Sequence, residues 1–296
     1  MAERSAAQNL IPIIIAVLVG AAIAWAGSDG GVRYGAIPVF ALCGALAFAI
    51  NWLAFIPAAI TQTEHYYDLT GGISYVSVTI AAVVLSGDLD LRQTLVAAMV
   101  MIWSIRLASF LFIRISKAGK DSRFDDIKTR PLQFLLAWTL QGLWVLLTAA
   151  AALAVITGGV SKPLGVVGAI GIAIWLAGIL IEIVADQQKS QFRKNPANKG
   201  KFISTGLWAW SRHPNYFGEI VLWIGMAIVA IPVLQGWQWA TLISPVFVYF
   251  LLTKVSGVPM LEDKADERWG GQEDYEDYKR RTPVLVMKPP APQADS

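Results

Sequence analysis

The chain has 296 residues, of which 55% are hydrophobic and 15% are charged, and its mean hydropathy is +0.53. An ordinary soluble domain is about 25% charged, so the composition excludes a soluble globule and a disordered chain. The net charge of +3 is small. The single cysteine, Cys43, excludes an internal disulfide framework.

Apolar runs long enough to cross a bilayer recur along most of the sequence. A hydrocarbon core of about 30 Å requires a helix of roughly 20 apolar residues, and eight runs approach this length, although the third is short. The sequence therefore predicts an all-α polytopic membrane protein with seven or eight spans, in a single domain over residues 1–285 with a disordered tail over residues 286–296. The runs are Leu10–Ala26, Ala36–Ile60, Gly72–Leu85, Leu91–Ile113, Pro131–Ile156, Leu164–Val184, Tyr216–Val233 and Trp237–Leu252.

Basic residues are concentrated in alternate connecting segments. Residues 114–130 include six Lys and Arg, residues 186–216 include six, and the tail after Leu252 includes seven. Because Lys and Arg accumulate in cytoplasmic loops, eight spans put these segments and both termini on the cytoplasmic side. The polar residues of segment 62–68 fall on the same face. This gathering favours an enzyme that takes an anionic cofactor from the cytoplasm over a passive pore.

Polar and ionisable residues inside the spans are few. Each ionisable one costs roughly 2.5 to 3.5 kcal/mol to insert, so such residues are candidates for function. Arg106 shares a helix face with Trp103, three residues earlier. Asp186 closes the sixth run, while Asn215 and Glu219 open the seventh at a spacing of four. The alternative interpretation is that these side chains only anchor helix ends at the interface.

The segment 61–72 reads TQTEHYYDLTGG and carries Gln62, Glu64, Tyr66 and Tyr67 at the end of a span. A carboxyl group beside apolar surroundings has a raised pKa and can donate a proton near neutrality. We therefore expect Glu64 or a tyrosine to donate a proton to a substrate oxygen. The alternative is an aromatic belt at the membrane interface.

The segment 206–219 reads GLWAWSRHPNYFGE, in which Arg212 and His213 precede Pro214 and Asn215. A helix N-terminus next to an arginine suits a phosphate group, although Pro214 and Asn215 are also typical of an ordinary helix start. Two histidines in the chain are too few for a metal site, so we expect none. Because the basic residues lie on a membrane face, we expect no nucleic-acid partner.

The run GLWAWSRHPNYFGEIVLWIG resembles the signature of the steroid 5-alpha-reductase-like membrane proteins, a family that includes the sterol reductases. TEHYYDLTGG, MIWSIRLASFLFIRISKAGKDSRF and the Y-x-x-Y-x-x-R-T-P pattern at 275–283 resemble the family's bacterial branch, in the family's order. The resemblance implies a protein of the bacterial inner membrane, monomeric among membrane lipids. It further implies that NADPH reduces a conjugated double bond in a steroid or sterol-like lipid, above all a 3-keto-4-ene steroid.

The resemblance also implies roles for individual residues. Glu64 would polarise the ketone, with Gln62, Tyr66 or Tyr67 as its partner. The family's catalytic tyrosine position is Trp103 here, whose indole N–H donates a hydrogen bond but supplies no mobile proton. The implied cofactor-binding residues are Arg106, Arg114, Lys117, Asp186, Arg193, Trp208, Arg212, His213, Asn215, Tyr216, Glu219, Tyr275 and Tyr278.

Two other classes of protein remain as alternatives. The R-H-P-x-Y core is shared with membrane methyltransferases for isoprenylcysteine and phospholipids, which bind S-adenosylmethionine. Asn215 and the FGEIVLWIG continuation favour the reductases. A transporter is the third class, and the lack of a visible repeat between the two halves of the sequence weakens it.

Overall fold

The computed structural model describes residues 6–118 and 124–290, except for the side chains of residues 6–8 and 114–118. Its two strands, β1 (Arg33–Tyr34) and β2 (Ile37–Pro38), form a short antiparallel pair. Nearly all remaining structure is helical, so the prediction of an all-α fold is confirmed. The helices are α1 (Ala6–Gly27), α2 (Val39–Thr61), α3 (Tyr67–Ser86), α4 (Leu91–Ala118), α5 (Pro131–Ile156), α6 (Gly165–Lys194), α7 (Pro214–Ala230), α8 (Ile243–Phe250), α9 (Val258–Trp269) and α10 (Glu273–Arg281).

Eight helical stretches within the described residues are long and apolar enough to cross a membrane, which makes this an integral membrane protein and favours eight spans over seven. The third span is not short. Helix α3 begins at Tyr67, five residues before the apolar run, and reaches 20 residues. The eighth stretch, Gly236–Trp269, is interrupted: it combines a 3-10 segment over Gly236–Leu242, α8, a π-helical segment over Leu251–Val255, and α9.

Contacts within the chain group it into two compact units. That residues 1–285 act as a single reductase domain stays a prediction. The first unit comprises residues 1–168 and 229–244, and the second comprises residues 169–228 and 245–296. The predicted tail over 286–296 lies partly outside the described residues. Each unit is described by itself.

Helix α5 is the centre of the first unit. It packs against α1, α2, α3 and α4, and 89% of its most apolar window is buried. Phe134 and Trp138 on α5 join Tyr67 and Phe124 in a buried aromatic cluster. Where α2 meets α3, the buried Sγ of Cys43 lies 3.5 Å from the carbonyl oxygen of Val78.

A buried guanidinium group lies at the N-terminal end of α4. Arg92 is only 1% exposed, and its Nη atoms donate to the carbonyl oxygens of Val229, Pro163 and Leu164 at 2.7, 2.8 and 2.9 Å. Charged donors make hydrogen bonds roughly twice as strong as neutral ones. Arg92 therefore joins two other chain segments, at 163–164 and at Val229, to the start of α4.

In the second unit, helices α6 and α7 approach each other through glycine. A Cβ atom at Gly218 would lie 2.6 Å from the carbonyl oxygen of Gly178 and 2.7 Å from the backbone nitrogen of Glu182. Small residues permit this approach of two backbones, which is the usual packing of helices inside membranes. This close contact joins the two helices on either side of the S-R-H-P loop (residues 211–214).

The segment after α10 returns to that loop. The Arg212 amide donates to the Pro283 carbonyl oxygen at 2.9 Å, and the Lys288 amide donates to the Trp210 carbonyl oxygen at 3.0 Å. The Ser211 hydroxyl donates to the Leu285 carbonyl oxygen at 2.8 Å. The C-terminal segment therefore fixes the backbone that carries Arg212.

Candidate functional site

A basic cavity of about 300 Å³ lies in the second unit, between the end of α6, the 201–213 segment, α9 and α10. Its lining includes six basic side chains and a single acidic one, Glu262. Converging Lys and Arg side chains at this density favour a ligand with several negative charges. The basic side chains are Lys189, Arg193, Lys201, Arg212, Lys264 and Arg268.

Aromatic rings form another part of the cavity wall. The ring centroid of Phe202 lies 5.3 Å from those of both Tyr275 and Tyr278 and 5.9 Å from that of Trp269. Burial raises the pKa of both tyrosines, so each keeps its hydroxyl proton. Planar rings beside cations suit the flat rings of a dinucleotide.

Trp208 is fixed at the same wall by three contacts. Its indole Nε1 donates to the Ala185 carbonyl oxygen at 3.0 Å, and its own carbonyl oxygen accepts from the Tyr278 hydroxyl at 2.7 Å. The Lys189 ammonium lies 4.2 Å from the centre of the indole ring. These contacts join α6, the S-R-H-P loop and α10 at one place.

A charged network organises Arg212 and His213. Nη1 of Arg212 lies 2.6 Å from Oε2 of Glu262, and Nε2 of His213 lies 2.8 Å from Oε1 of the same carboxylate. Burial lowers the pKa of His213 and outweighs the opposing hydrogen bond to Glu262. His213 is therefore neutral at pH 7. Because the Glu262 carboxylate only accepts hydrogen bonds, Nε2 is the donor, and the buried Nδ1 has no hydrogen-bond partner among the described residues.

Six of the thirteen predicted cofactor residues line this cavity, and they come from α6, the S-R-H-P loop with its preceding turn, and α10. These segments are far apart in the sequence, and the fold of the second unit brings them together. The six are Arg193, Trp208, Arg212, His213, Tyr275 and Tyr278.

The other predicted cofactor residues are not part of the lining. Asp186 is buried in α6, and Tyr216 stacks on His213 with ring centroids 5.7 Å apart. Asn215 and Glu219 are half-buried in the first turns of α7. Arg106 lies on α4, in the first unit. The side chains of Arg114 and Lys117 lie outside the described residues.

A second, mostly apolar cavity of about 140 Å³ lies between α3, α4 and α5 in the first unit. Tyr67 and Trp103, two of the predicted catalytic residues, both line it. Trp103 is 2% exposed, and its ring meets that of Tyr75 edge-on, with centroids 5.0 Å apart. The Tyr67 hydroxyl donates to the Ala137 carbonyl oxygen at 3.0 Å.

The remaining predicted catalytic residues are not in the lining of this cavity. Gln62 is exposed and ends α2 in the left-handed region at φ 50° and ψ 44°, and Tyr66 is 57% exposed. Glu64 is buried, and its Oε2 lies 3.0 Å from Nζ of Lys128. This hydrogen bond raises the pKa of Lys128. The role of Glu64 as a proton donor stays a prediction.

Several lining residues were not singled out from the sequence. Gln141 lines the apolar cavity, and its position inside the run Pro131–Ile156 is a signal, because a polar residue within a span points to function. Phe202 and Glu262 carry no such signal, since both lie in segments of ordinary polarity. No group of three His, Cys, Asp or Glu that could hold a metal ion is found in residues 6–118 and 124–290.

Comparison with known families gives one match over most of the chain. A family described as a protein of unknown function, DUF1295, matches residues 54–282. That range includes the whole T-E-H-Y-Y segment, the S-R-H-P loop and α10. No solved structure matches the chain significantly.

Curated relatives match a smaller part of the chain than the family does. The chain is 30% identical to 3-oxo-5-alpha-steroid 4-dehydrogenase 1 of Bos taurus over 116 residues, which are 39% of this chain and 40% of the bovine protein. It is 34% identical to the Macaca fascicularis protein of the same name over 118 residues, 40% of this chain and 39% of that protein. It is also 28% identical to the probable O-methyltransferase ustE of Ustilaginoidea virens over 109 residues, 34% of this chain and 38% of that protein. The chain thus matches about 40% of the length of these relatives.

Proposed function

The chain belongs to the DUF1295 family, which is the steroid 5-alpha-reductase family, and from that membership we propose that it is a membrane oxidoreductase. The proposed reaction reduces a carbon–carbon double bond conjugated to a ketone in a steroid or sterol-like lipid, with NADPH as the reductant. The observation that carries the proposal is the basic, aromatic-lined cavity where residues of the S-R-H-P loop and α10 meet. The proposal includes a monomer in the bacterial inner membrane with cytoplasmic termini.

The charge and the aromatic lining of the cavity of the second unit support NADPH as its ligand. Six basic side chains against one carboxylate match the pyrophosphate and the 2′-phosphate, and the Phe202, Tyr278 and Trp269 rings match the flat bases. When bound, NADPH supplies the hydride that the reaction needs. Glu262 keeps the Arg212 guanidinium oriented through a 2.6 Å ion pair, so a phosphate meets a fixed donor.

On the lipid side, the chain's own residues would stabilise the charge that develops on the ketone oxygen. The transition state is enolate-like, so fixed hydrogen-bond donors at that oxygen lower the barrier. The Glu64–Lys128 pair is the proposed source of this hydrogen bond, with Gln62 or a neighbouring tyrosine as its partner. The cavity of about 140 Å³ lies below the roughly 300–1,000 Å³ typical of drug-sized ligands, so it suits one end of a lipid.

A methyltransferase is the competing function, because the chain also resembles the fungal protein named an O-methyltransferase. S-adenosylmethionine has a positively charged sulfonium group and no phosphate. A lining of six basic side chains and one acidic one repels such a ligand and attracts NADPH. The charge of the cavity therefore favours the reductase.

Turnover by protein purified in detergent tests the proposal. We expect the protein to bind NADPH and to oxidise it when a 3-keto-4-ene steroid is added, as followed by the loss of NADPH absorbance. Glu64→Gln should lower turnover by tenfold or more while the Kd for NADPH stays the same, because the change affects the ketone rather than the cofactor. A tenfold loss corresponds to about 1.4 kcal/mol of transition-state stabilisation.

Asp125→Asn is the matched control, because Asp125 is the other carboxylate near Lys128, at 3.4 Å. It should keep most of the turnover. Binding of S-adenosylmethionine without binding of NADPH would move the function to the methyltransferases. Unchanged turnover in Glu64→Gln would show that Glu64 does not polarise the ketone.

A further inference from the structure

The residues that follow α10 expose apolar side chains that the proposed reaction does not use. Val286 is 57% exposed, and Val284 is also exposed. Leu285 and Met287, which alternate with them, are half-buried. Large apolar side chains exposed close together mark a surface that contacts a partner or a membrane.

A hydrogen bond determines where segment 283–288 lies relative to the bilayer. The Lys288 amide donates to the Trp210 carbonyl oxygen at 3.0 Å, which holds the segment against the loop that precedes α7. The membrane-spanning stretch of α7 begins only four residues after Trp210, at Pro214. Segment 283–288 therefore lies near the level at which a span enters the bilayer, where the lipid head groups are.

Trp210 itself is an exposed side chain at this level. Tryptophan is enriched at the boundary between membrane and water, because its ring is apolar and its N–H is polar. The exposed ring of Trp210 and the exposed valines belong to backbone segments that are hydrogen-bonded to each other. The three side chains therefore form one apolar surface at the depth of the head groups.

Basic residues flank this apolar surface on both sides along the chain. The acidic residues of α10 are in its first turn, while Lys279, Arg280 and Arg281 are in its last turn, next to segment 283–288. Arg280 and Arg281 share one carboxylate, Asp277, so these three side chains together carry a net positive charge. The exposed Lys288 follows the valines. Apolar side chains between basic ones are typical of segments that lie on an anionic bilayer.

We propose that segment 283–288, together with Trp210, binds the surface of a bilayer that contains anionic phospholipids. The side chains of Val284, Val286 and Trp210 enter the boundary between head groups and acyl chains, and the Lys288 ammonium contacts lipid phosphates. This inference does not depend on the proposed reaction, because it rests on exposure, position and charge alone.

Fluorescence of a labelled cysteine in lipid nanodiscs tests the proposal. Val286→Cys carries the environment-sensitive dye NBD, and one protein per disc is reconstituted in phosphatidylcholine with or without phosphatidylglycerol. Cys43 is 0% exposed, so the dye is confined to the new cysteine. We expect emission at shorter wavelength than in water. Phospholipids brominated near the head-group end of their acyl chains should quench this label at least about threefold more than a control label, since interfacial segments reach that depth.

Glu273→Cys with the same dye is the matched control, because Glu273 is exposed at the acidic start of α10. Its label should emit as in water and show little quenching. Phosphatidylglycerol should increase the quenching of the Val286→Cys label. Lys288→Gln in the same background should reduce that increase, because one lipid-facing charge is removed.

Three results would overturn the proposal or a part of it. Equal emission and quenching of the Val286→Cys and Glu273→Cys labels would mean that the segment lies in water. Emission at shorter wavelength without quenching by brominated lipid would mean that protein, rather than lipid, covers the segment. Quenching that does not change with phosphatidylglycerol would overturn the preference for anionic lipid.

Discussion

Burial, more than its carboxylate partner, determines the protonation state of the His213 ring. Glu262 accepts from Nε2 at 2.8 Å and also pairs with Arg212, yet burial has the larger effect and keeps the pKa of His213 below its usual value. The neutral ring then stacks on Tyr216 at an interplanar angle of 11°. Protonation would put a second cation beside Arg212 at a buried position.

This arrangement predicts acid sensitivity. The unfolded chain binds a proton at His213 below a pKa of about 6.5, while the folded protein resists protonation until lower pH. Stability therefore falls as pH drops below 6.5, by at most about 1.4 kcal/mol per pH unit for one group. Thermal unfolding in detergent between pH 5 and pH 7.5 measures the slope, which His213→Asn should flatten.

His65→Gln is the control, because His65 is the other histidine of the chain and lies in the first unit. It should leave the slope of wild type unchanged. Equal slopes in wild type and His213→Asn would contradict a neutral, buried His213.

At the scale of helices, hydropathy predicts where spans lie but not how they end. The run from Leu91 to Ile113 begins α4 at the predicted residue. Helix α3, in contrast, begins five residues before its apolar run, because Tyr67 and Asp68 belong to its first turn and Tyr67 is buried against Trp138. Hydropathy averaged along the sequence does not include contacts between side chains. It also does not predict the π-helical segment after α8.

Because α6 and α7 are in close contact at Gly218, we expect Gly218→Ala to destabilise the protein, although the same change usually stabilises a helix. In an isolated helix, Gly→Ala gains about 1 kcal/mol. At Gly218 the added methyl group would press on the backbone of Gly178 and Glu182 at 2.6 and 2.7 Å. We expect Gly218→Ala to lower the free energy of unfolding by about 1–3 kcal/mol, as overpacking does, in a denaturation measurement in detergent.

Ile224→Ala serves as the comparison, because Ile224 is 41% exposed on the same helix. Removing its side chain should cost less than adding one methyl group at Gly218. A stabilising Gly218→Ala would mean that the two helices are farther apart than described.

For the whole molecule, the sequence predicts part of the lining of the basic cavity but not its extent. The four motifs contributed Trp208, Arg212, His213, Tyr275 and Tyr278 to one cavity. Five of the six basic side chains of the lining lie outside the four motifs, because their charge is ordinary for a surface. The Glu64–Lys128 pair was missed for another reason: 64 residues separate its members, and only folding brings them into contact.

The distribution of charge makes a prediction about topology. Basic loops remain in the cytoplasm, so eight spans put the C-terminus and the 195–205 segment on the cytoplasmic side and the 157–164 segment on the opposite side. Alkaline phosphatase fused after residue 161 should be active in a bacterial host, whereas fusions after residues 200 and 290 should be inactive. An active fusion after residue 290 would rule out this orientation.

The burial of Cys43 makes the native chain a ready background for site-directed labelling. It is the only cysteine in the sequence, it is 0% exposed, and polar maleimide reagents have no path to its sulfur. Cysteines introduced at the exposed positions Ser161 and Ser204 would then react alone. A pair of spin labels at these positions would report a distance between the two compact units, with and without NADPH, without removal of a native thiol.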